Sequence, residues 1–399
     1  MSNKSTNHLP GQLTLLTLAR FLLNTALRMV YPFAPAFARG LGVPVTDIYQ
    51  LITLRSLIGV ISPLFSPLSE RYGRVPIMAL SMLLFGLGAT IVILWPAYWA
   101  LGLTLSIFGI AKVIYDPAMQ SYLGERVPYA QRGRALSVTE LAWSGALIVG
   151  APAISLLITR WGWQAPFFWL AIFGLIAAVA LWRLMPRLHT PPHGGATNLA
   201  GAWRIFRQYR VIWAASLFIA LSATSNETLF IVFGGWMEAN FGLSLIALGF
   251  SAGLIGLAEI TGEISAGWSV DRFGKRPVII ATGFINAFFC FVLPYASGSL
   301  TAALIAYFFV FLFFEITVVG SMPLMTEIVP SGRSVVMSVL IAASALGRAG
   351  GATLGPWLFT QYGYLANGIA AALMMAIAIG AVALWVRESP QNSQEPNPK

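Results

Sequence analysis

Apolar runs of about 20 residues, each long enough to cross ~30 Å of hydrocarbon as a helix, recur along this chain from end to end. Twelve such spans are predicted. They run Leu13–Ala38, Ile48–Leu68, Val75–Leu94, Tyr98–Tyr122, Ala135–Leu157 and Ala165–Met185, then Val211–Trp236, Leu243–Trp268, Val278–Leu293, Leu300–Leu324, Ser334–Phe359 and Tyr364–Trp385. A closed barrel is the other way to satisfy the backbone in lipid, but its strands would be ~10 residues long and would alternate in polarity. These runs do neither. With 57% hydrophobic and 10% charged residues, the chain is expected to be an all-α membrane protein of twelve transmembrane helices.

The net charge of +10 has a topological reading. Of the 24 Lys and Arg, seventeen fall in segments on one side, among them Arg71, Arg74, Arg126, Arg132, Arg134, Arg272, Lys275 and Arg276, while only Arg39 and Arg160 fall on the other. This asymmetry predicts a multi-pass protein of the cell (inner) membrane with both termini cytoplasmic. It also removes the need for nucleic acid as a partner, since no basic patch or nucleic-acid-binding motif is present. Arg20 and Arg28 make the first apolar segment unlike the core of a signal peptide, so it is expected to remain as a helix. The single cysteine, Cys290, permits no internal disulfide.

Two short sequences occur twice. Glu70-Arg71-Tyr72-Gly73-Arg74 is matched 201 residues later by Asp271-Arg272-Phe273-Gly274-Lys275, and Glu125-x-Val127-Pro128 is matched 202 residues later by Glu327-x-Val329-Pro330. Two matches at one offset argue for an internal duplication. The predicted organisation is a six-helix bundle over 1–186, a Pro- and Gly-containing basic linker over 187–208, and a second bundle over 209–399.

The acidic-basic-aromatic-glycine-basic loop between spans 2 and 3 of each half resembles the signature loop of the major facilitator superfamily. The resemblance covers nearly the whole chain. It implies the major facilitator fold of two pseudo-symmetric six-helix bundles, with spans 1, 4, 7 and 10 lining a cavity, 2, 5, 8 and 11 at the moving interface, and 3, 6, 9 and 12 outside. The paired loops (Glu70, Arg71, Gly73 and Arg74; Asp271, Arg272, Gly274 and Lys275) are then candidate latches. In each, a carboxylate would face an arginine or a helix N-terminus, and the glycine would allow a tight turn. Ordinary basic loop residues are the alternative. Gly145, Gly150, Pro152 and Trp161-Gly162-Trp163 are similar to the drug:proton antiporter branch. That branch's glycine spacing is clearer at Gly347, Gly351 and Gly355-Pro356, where close helix packing is an equal reading. The arginine this branch places in span 4, about a dozen residues before Pro117, is missing.

Leaving aside Arg183, counted with the basic segment that follows span 6, eleven ionisable residues lie within the spans, and they should face protein or a water-filled path. Spans 3, 9 and 12 hold none, and span 6 holds only that arginine at its end. Arg28 and Tyr31 continue a polar stripe from Arg20 and Asn24 on span 1, where Arg20 either joins that stripe or snorkels to the surface. Lys112 and Asp116 are four apart and can pair. Glu227 and Glu315 have no cation nearby in sequence and are candidate proton carriers, while Arg55, Glu259, Glu263 and Arg348 are read as an inter-half network, with Glu259 and Glu263 paired to Arg348 or Arg55. Glu140 is expected to serve the loops. The internal charges leave a basic wall in the first half and an acidic one in the second.

No Gly-x-x-x-x-Gly-Lys-Ser/Thr loop is present, so a gradient is the expected energy source. His8, His189 and His193 have no metal-ligand spacing, and no nucleophile motif stands out, which sets aside a membrane enzyme. No metal or cofactor is called for. The expectation is a secondary transporter, not an enzyme, that exports an amphipathic small-molecule cargo in exchange for protons. Proton symport and lipid or organic-anion transport are the alternatives. The bilayer is its solvent, and a monomer is the favoured state.

Overall fold

The computed structural model describes residues 9–186, 210–327 and 333–386. The 187–208 linker, both termini and Val329-Pro330 lie outside the described residues.

The first half holds α1 (Leu9–Arg28), α2 (Val30–Leu41), α3 (Val45–Ile58), α4 (Ser66–Tyr72), α5 (Arg74–Leu94), α6 (Tyr98–Arg126), α7 (Tyr129–Gly145), α8 (Ala151–Trp161) and α9 (Ala165–Leu184). The second holds α10 (Arg210–Phe230), α11 (Phe233–Phe241), α12 (Leu245–Phe273), α13 (Lys275–Val292), α14 (Leu300–Glu327), α15 (Arg333–Tyr362) and α16 (Tyr364–Trp385). Among the described residues, eleven stretches are long and apolar enough to cross a membrane, and the bent pair α1 and α2, taken as one span, makes a twelfth. The fold is all-helical, as expected.

The extra elements are broken spans with local causes. Span 1 bends by 55° between α1 and α2, at Met29. Pro32 has no amide to donate to Arg28 O, so the ladder opens one turn before it. Span 7 breaks between α10 and α11 just ahead of Gly234-Gly235, the corresponding place in the other half. Span 5 passes from α7 to α8 through a π-helical turn, Ala146–Gly150, which ends beside Pro152.

The duplication is visible in the backbone. Among the described residues, all six with positive φ are glycines, and they form three pairs across the halves: Gly42 with Gly242, Gly73 with Gly274, and Gly162 with Gly363. Gly73 (φ 90°, ψ 149°) and Gly274 (φ 85°, ψ 155°) turn the corner of each repeated loop, in a conformation an L side chain rarely adopts.

Glycines also set the packing. A Cβ at Gly150 would strike Thr25 of α1, and one at Gly351 would strike Glu227 and Thr224 of α10, so span 5 lies on span 1 as span 11 lies on span 7. The glycine spacing of span 11 therefore serves close packing within the second half. A different stripe, Gly249, Gly253 and Gly256 of α12, meets Ser155, Leu147 and Ser144 of span 5, which joins the halves. On α9 and α16, Phe173, Ile176 and Val179, and Leu373, Ile377 and Leu384, remain exposed, as outer helices in lipid should.

Candidate functional site

Between the halves lies a cavity of about 400 Å³, lined from α1, α2, α3, α6, α7, α10, α12, α14 and α15. It continues into a wider space of about 800 Å³ that shares Lys112, Asp116, Trp143, Glu315 and Arg348 and reaches Gly124, Arg132 and Met322. The opening therefore lies at the end carrying Glu125 and its basic neighbours. The other end is shut. There the backbone of Gly234 meets Pro32 O, and Arg39 Nη1 pairs with Glu238 Oε1 at 2.5 Å across the halves.

Charged groups at this depth are stable only when paired, and most are. Arg28, 3% exposed, spans the halves to Glu259, 2% exposed, in a two-pronged bridge of 2.7 and 2.5 Å, and also donates to Trp143 O at 3.0 Å. A second connection runs from Arg55 Nη2 to Tyr31 Oη at 2.9 Å, then from Tyr31 to Glu227 Oε1 at 2.7 Å. Arg348 Nη1 stands 3.7 Å from the other Glu227 oxygen. Arg55 also donates to Leu27 O, and the Tyr31 ring stacks on Phe230 at 4.4 Å.

Within the first half Lys112 Nζ holds Asp116 and Asn24, each at 2.7 Å. Arg20 donates to Glu140 at 2.7 Å and to Thr139 O at 3.0 Å, and its Nε lies 3.4 Å from Asp116. Glu315, 8% exposed on the cavity wall, pairs with no cation among the described residues. Its Cβ packs at Gly262, between Glu259 and Glu263 on α12, so three carboxyls share one region.

Several expectations need correction. Glu259 pairs with Arg28 rather than with Arg55 or Arg348, which are turned to Tyr31 and Leu27 O and to Glu227. Glu263 forms no ion pair among the described residues. Glu227 is not isolated: Arg348 reaches it from span 11 and Tyr31 from span 1. Arg20 is buried and does not snorkel, and Glu140 serves Arg20 instead of the loops.

The loop latches also differ from expectation. Glu70 and Asp271 are exposed and form no ion pair among the described residues, since the extended glycine corner separates each from the helix that follows. In the first half it is Arg74 that pairs, through Nη2 with Glu125 Oε1 at 3.0 Å and through Nη1 with Ser69 at 2.7 Å. The two repeated motifs thus meet each other inside one half. Arg71 lies over Tyr72, and Arg272 lies over Trp268 and Phe273.

The sequence pattern of the Major Facilitator Superfamily matches residues 16–226 and 216–399. The chain belongs to the major facilitator superfamily. It is 26% identical over 396 residues to YwfA, an uncharacterised MFS-type transporter of Bacillus subtilis, covering 94% of this chain and 92% of that one. Multidrug resistance protein 2 of the same organism is 22% identical, covering 92% of each. Among solved structures, an inward-facing, occupied bacterial homologue of the human lysosomal transporter Spinster superposes with a TM-score of 0.79 at 16% identity, covering 97% of this chain and 100% of that one. A D-xylose-proton symporter does so with a TM-score of 0.75 at 17% identity, covering 96% and 99%. These structures share the fold. This superfamily member is a multi-pass membrane transporter and not an enzyme.

Sequence reasoning missed the aromatic part of the transporter's cavity. Trp143 has three cations over its ring: Arg28 at 4.2 Å, Arg348 at 5.6 Å and Lys112 at 5.7 Å from the centroid. Phe230, Phe311 and Phe314 line the same cavity from the second half. A signal was available, because Trp143, Phe230 and Phe311 stand three or four residues from Glu140, Glu227 and Glu315, on the same helix faces.

Proposed function

We propose that this transporter exports an amphipathic organic molecule by alternating access, coupled to proton entry, with the Glu315 carboxyl carrying the proton. The observation that carries this reading is the asymmetry among the buried carboxylates. Asp116, Glu227 and Glu259 each have a cation within 4.0 Å, whereas Glu315 has none among the described residues. An unpaired buried carboxyl is the group whose charge is most costly to keep, so it is the one that gains most from binding a proton or a compensating cargo.

The aromatic lining of Trp143, Phe230, Phe311 and Phe314 supports an apolar body for the cargo, and the charged groups of the same cavity support a polar end. The similarity to a multidrug resistance protein points the same way. The basic-rich end is assigned to the cytoplasm on the positive-inside rule, with both termini and the 187–208 linker there. The cavity then faces inward, ready to load cargo from the cell.

Reconstituted Glu315→Gln should keep cargo binding and downhill exchange and lose accumulation driven by a proton gradient. For each charge moved, ~100 mV supplies ~2.3 kcal/mol, a concentration ratio of about 50, so uncoupling is plainly visible. A Gln variant that still concentrates cargo as the parent does would remove Glu315 from the coupling step.

A further inference from the structure

The two halves differ at their closed ends in a way the duplication does not require. In the first half Trp163 lies over Gly40, so close that a Cβ there would collide with the indole ring. The same indole packs edge-on against Phe37 and Phe167, with centroids 6.4 and 6.3 Å away. By the offsets of the paired glycines, Gly40 corresponds to Asn240 and Trp163 to Tyr364.

The loss of the indole empties the equivalent place, and Asn240 stands at its edge without filling it. Tyr364 is turned inward, stacked on Trp236 at 4.1 Å with its hydroxyl bonded to Tyr307. Asn240 turns to Ser297 O at 2.7 Å. What remains is a hollow of about 380 Å³, within the range of small-molecule sites. Its buried floor is Trp236, Pro294 and Tyr364, Phe359 closes one side, and Asn240 and Ser297 stand on its exposed rim. No residue lining it carries a charge.

We propose that this hollow binds a small, uncharged, planar aromatic molecule of about indole size, at a site distinct from the central cavity. The occupant is argued from the molecule itself, since the first half fills the matching position with its own indole. The flat faces of Trp236 and Tyr364 offer stacking, and the rim amide and carbonyls meet one polar substituent. Every lining residue belongs to the second half, so the site should persist whichever way the central cavity faces. It does not depend on the coupling role given to Glu315.

The probe is radiolabelled indole, titrated against the full chain in nanodiscs with empty nanodiscs subtracted. One saturable equivalent is expected. It should survive Ile341→Trp, which fills the central cavity instead. It should weaken at least tenfold in Asn240→Gly/Tyr364→Trp, which rebuilds the plug of the first half. Ala239→Trp, at the exposed rim, fills the hollow without touching its floor and should do the same, which keeps the test decisive if the double variant folds poorly. Absence of saturable binding, loss in Ile341→Trp, or undiminished binding in both filled variants would overturn the proposal.

Discussion

The first half meets its own acids with its own bases, and the second does not. Arg20 and Lys112 hold Glu140 and Asp116 within one bundle, leaving Arg28 to reach across to Glu259 and Arg55 to hold Tyr31, which reaches Glu227. In the second half Arg348 stands alone against Glu227, Glu259, Glu263 and Glu315, and one of these is satisfied only by an arginine from across the interface. One backbone, used twice, has acquired opposite electrostatics. The difference converts a symmetric pair of bundles into a pair that attract at mid-membrane, with a surplus carboxyl left over on the acidic side.

The strongest test of this comparison is the Arg28–Glu259 bridge. Both groups are buried, so removing one strands the other in low dielectric, and a cost of ~3–5 kcal/mol is expected for Arg28→Ala or Glu259→Leu alone. Replacing both should recover most of that loss. Thermal unfolding of the two single variants and the double in detergent reads this out directly. Additive losses would show that the groups act independently and that the halves are not joined here. Arg28→Lys sharpens the test, because an ammonium cannot reproduce two parallel bonds to one carboxylate. The bridge also bears on cargo charge: with Arg28 already committed to Glu259, an anionic cargo would have to displace a carboxylate to be gripped there.

How much of this was readable in advance follows from the range of each interaction. Span number and the lack of charge at the centres of the outer helices are properties of single segments, set by hydrocarbon thickness and the cost of inserting charge, so they were legible. The paired glycine corners were legible too, because the repeat offset marks them. The partner of Arg28 was not, since Glu259 lies 231 residues away in the other half and only the packing of the two halves brings it near. Local pairs such as Lys112 with Asp116 were readable because they lie on one helix face. Trp143 was overlooked because an aromatic residue in a membrane helix carries no signal by itself; it gains meaning from the three cations around it.

A smaller effect is expected at the closed end, where Arg39 and Glu238 pair across the halves. The arginine side chain is 57% exposed, so the bridge contributes at most ~1 kcal/mol. Glu238→Gln should therefore raise outward opening by no more than about fivefold. A Ser56→Cys reporter on the cavity wall, in a Cys290→Ser background, would show faster labelling by an impermeant thiol reagent from that side. The charge swap Arg39→Glu/Glu238→Arg should restore the parent rate. Unchanged labelling in both single variants would confine the cross-half attraction to mid-membrane.

The smallest effect is expected where the sequence motif looked most distinctive. The corners at Gly73 and Gly274 have nearly the same backbone angles, yet the acids that open the two motifs, Glu70 and Asp271, point to solvent and form no ion pair among the described residues. Glu70→Gln with Asp271→Asn should change stability by less than ~0.5 kcal/mol, as neutral replacements at exposed sites usually do. Arg74→Ala should cost more, because it breaks both the Glu125 pair and the bond to Ser69. Since Arg74 and Glu125 belong to the same half, that loss should appear in thermal unfolding and leave the balance between inward and outward labelling unchanged. The informative result is the reverse. If neutralising Glu70 and Asp271 slows transport several-fold with stability intact, these carboxylates find partners once the cavity closes at the basic end. The motif would then act between the halves in the state opposite to the one seen here.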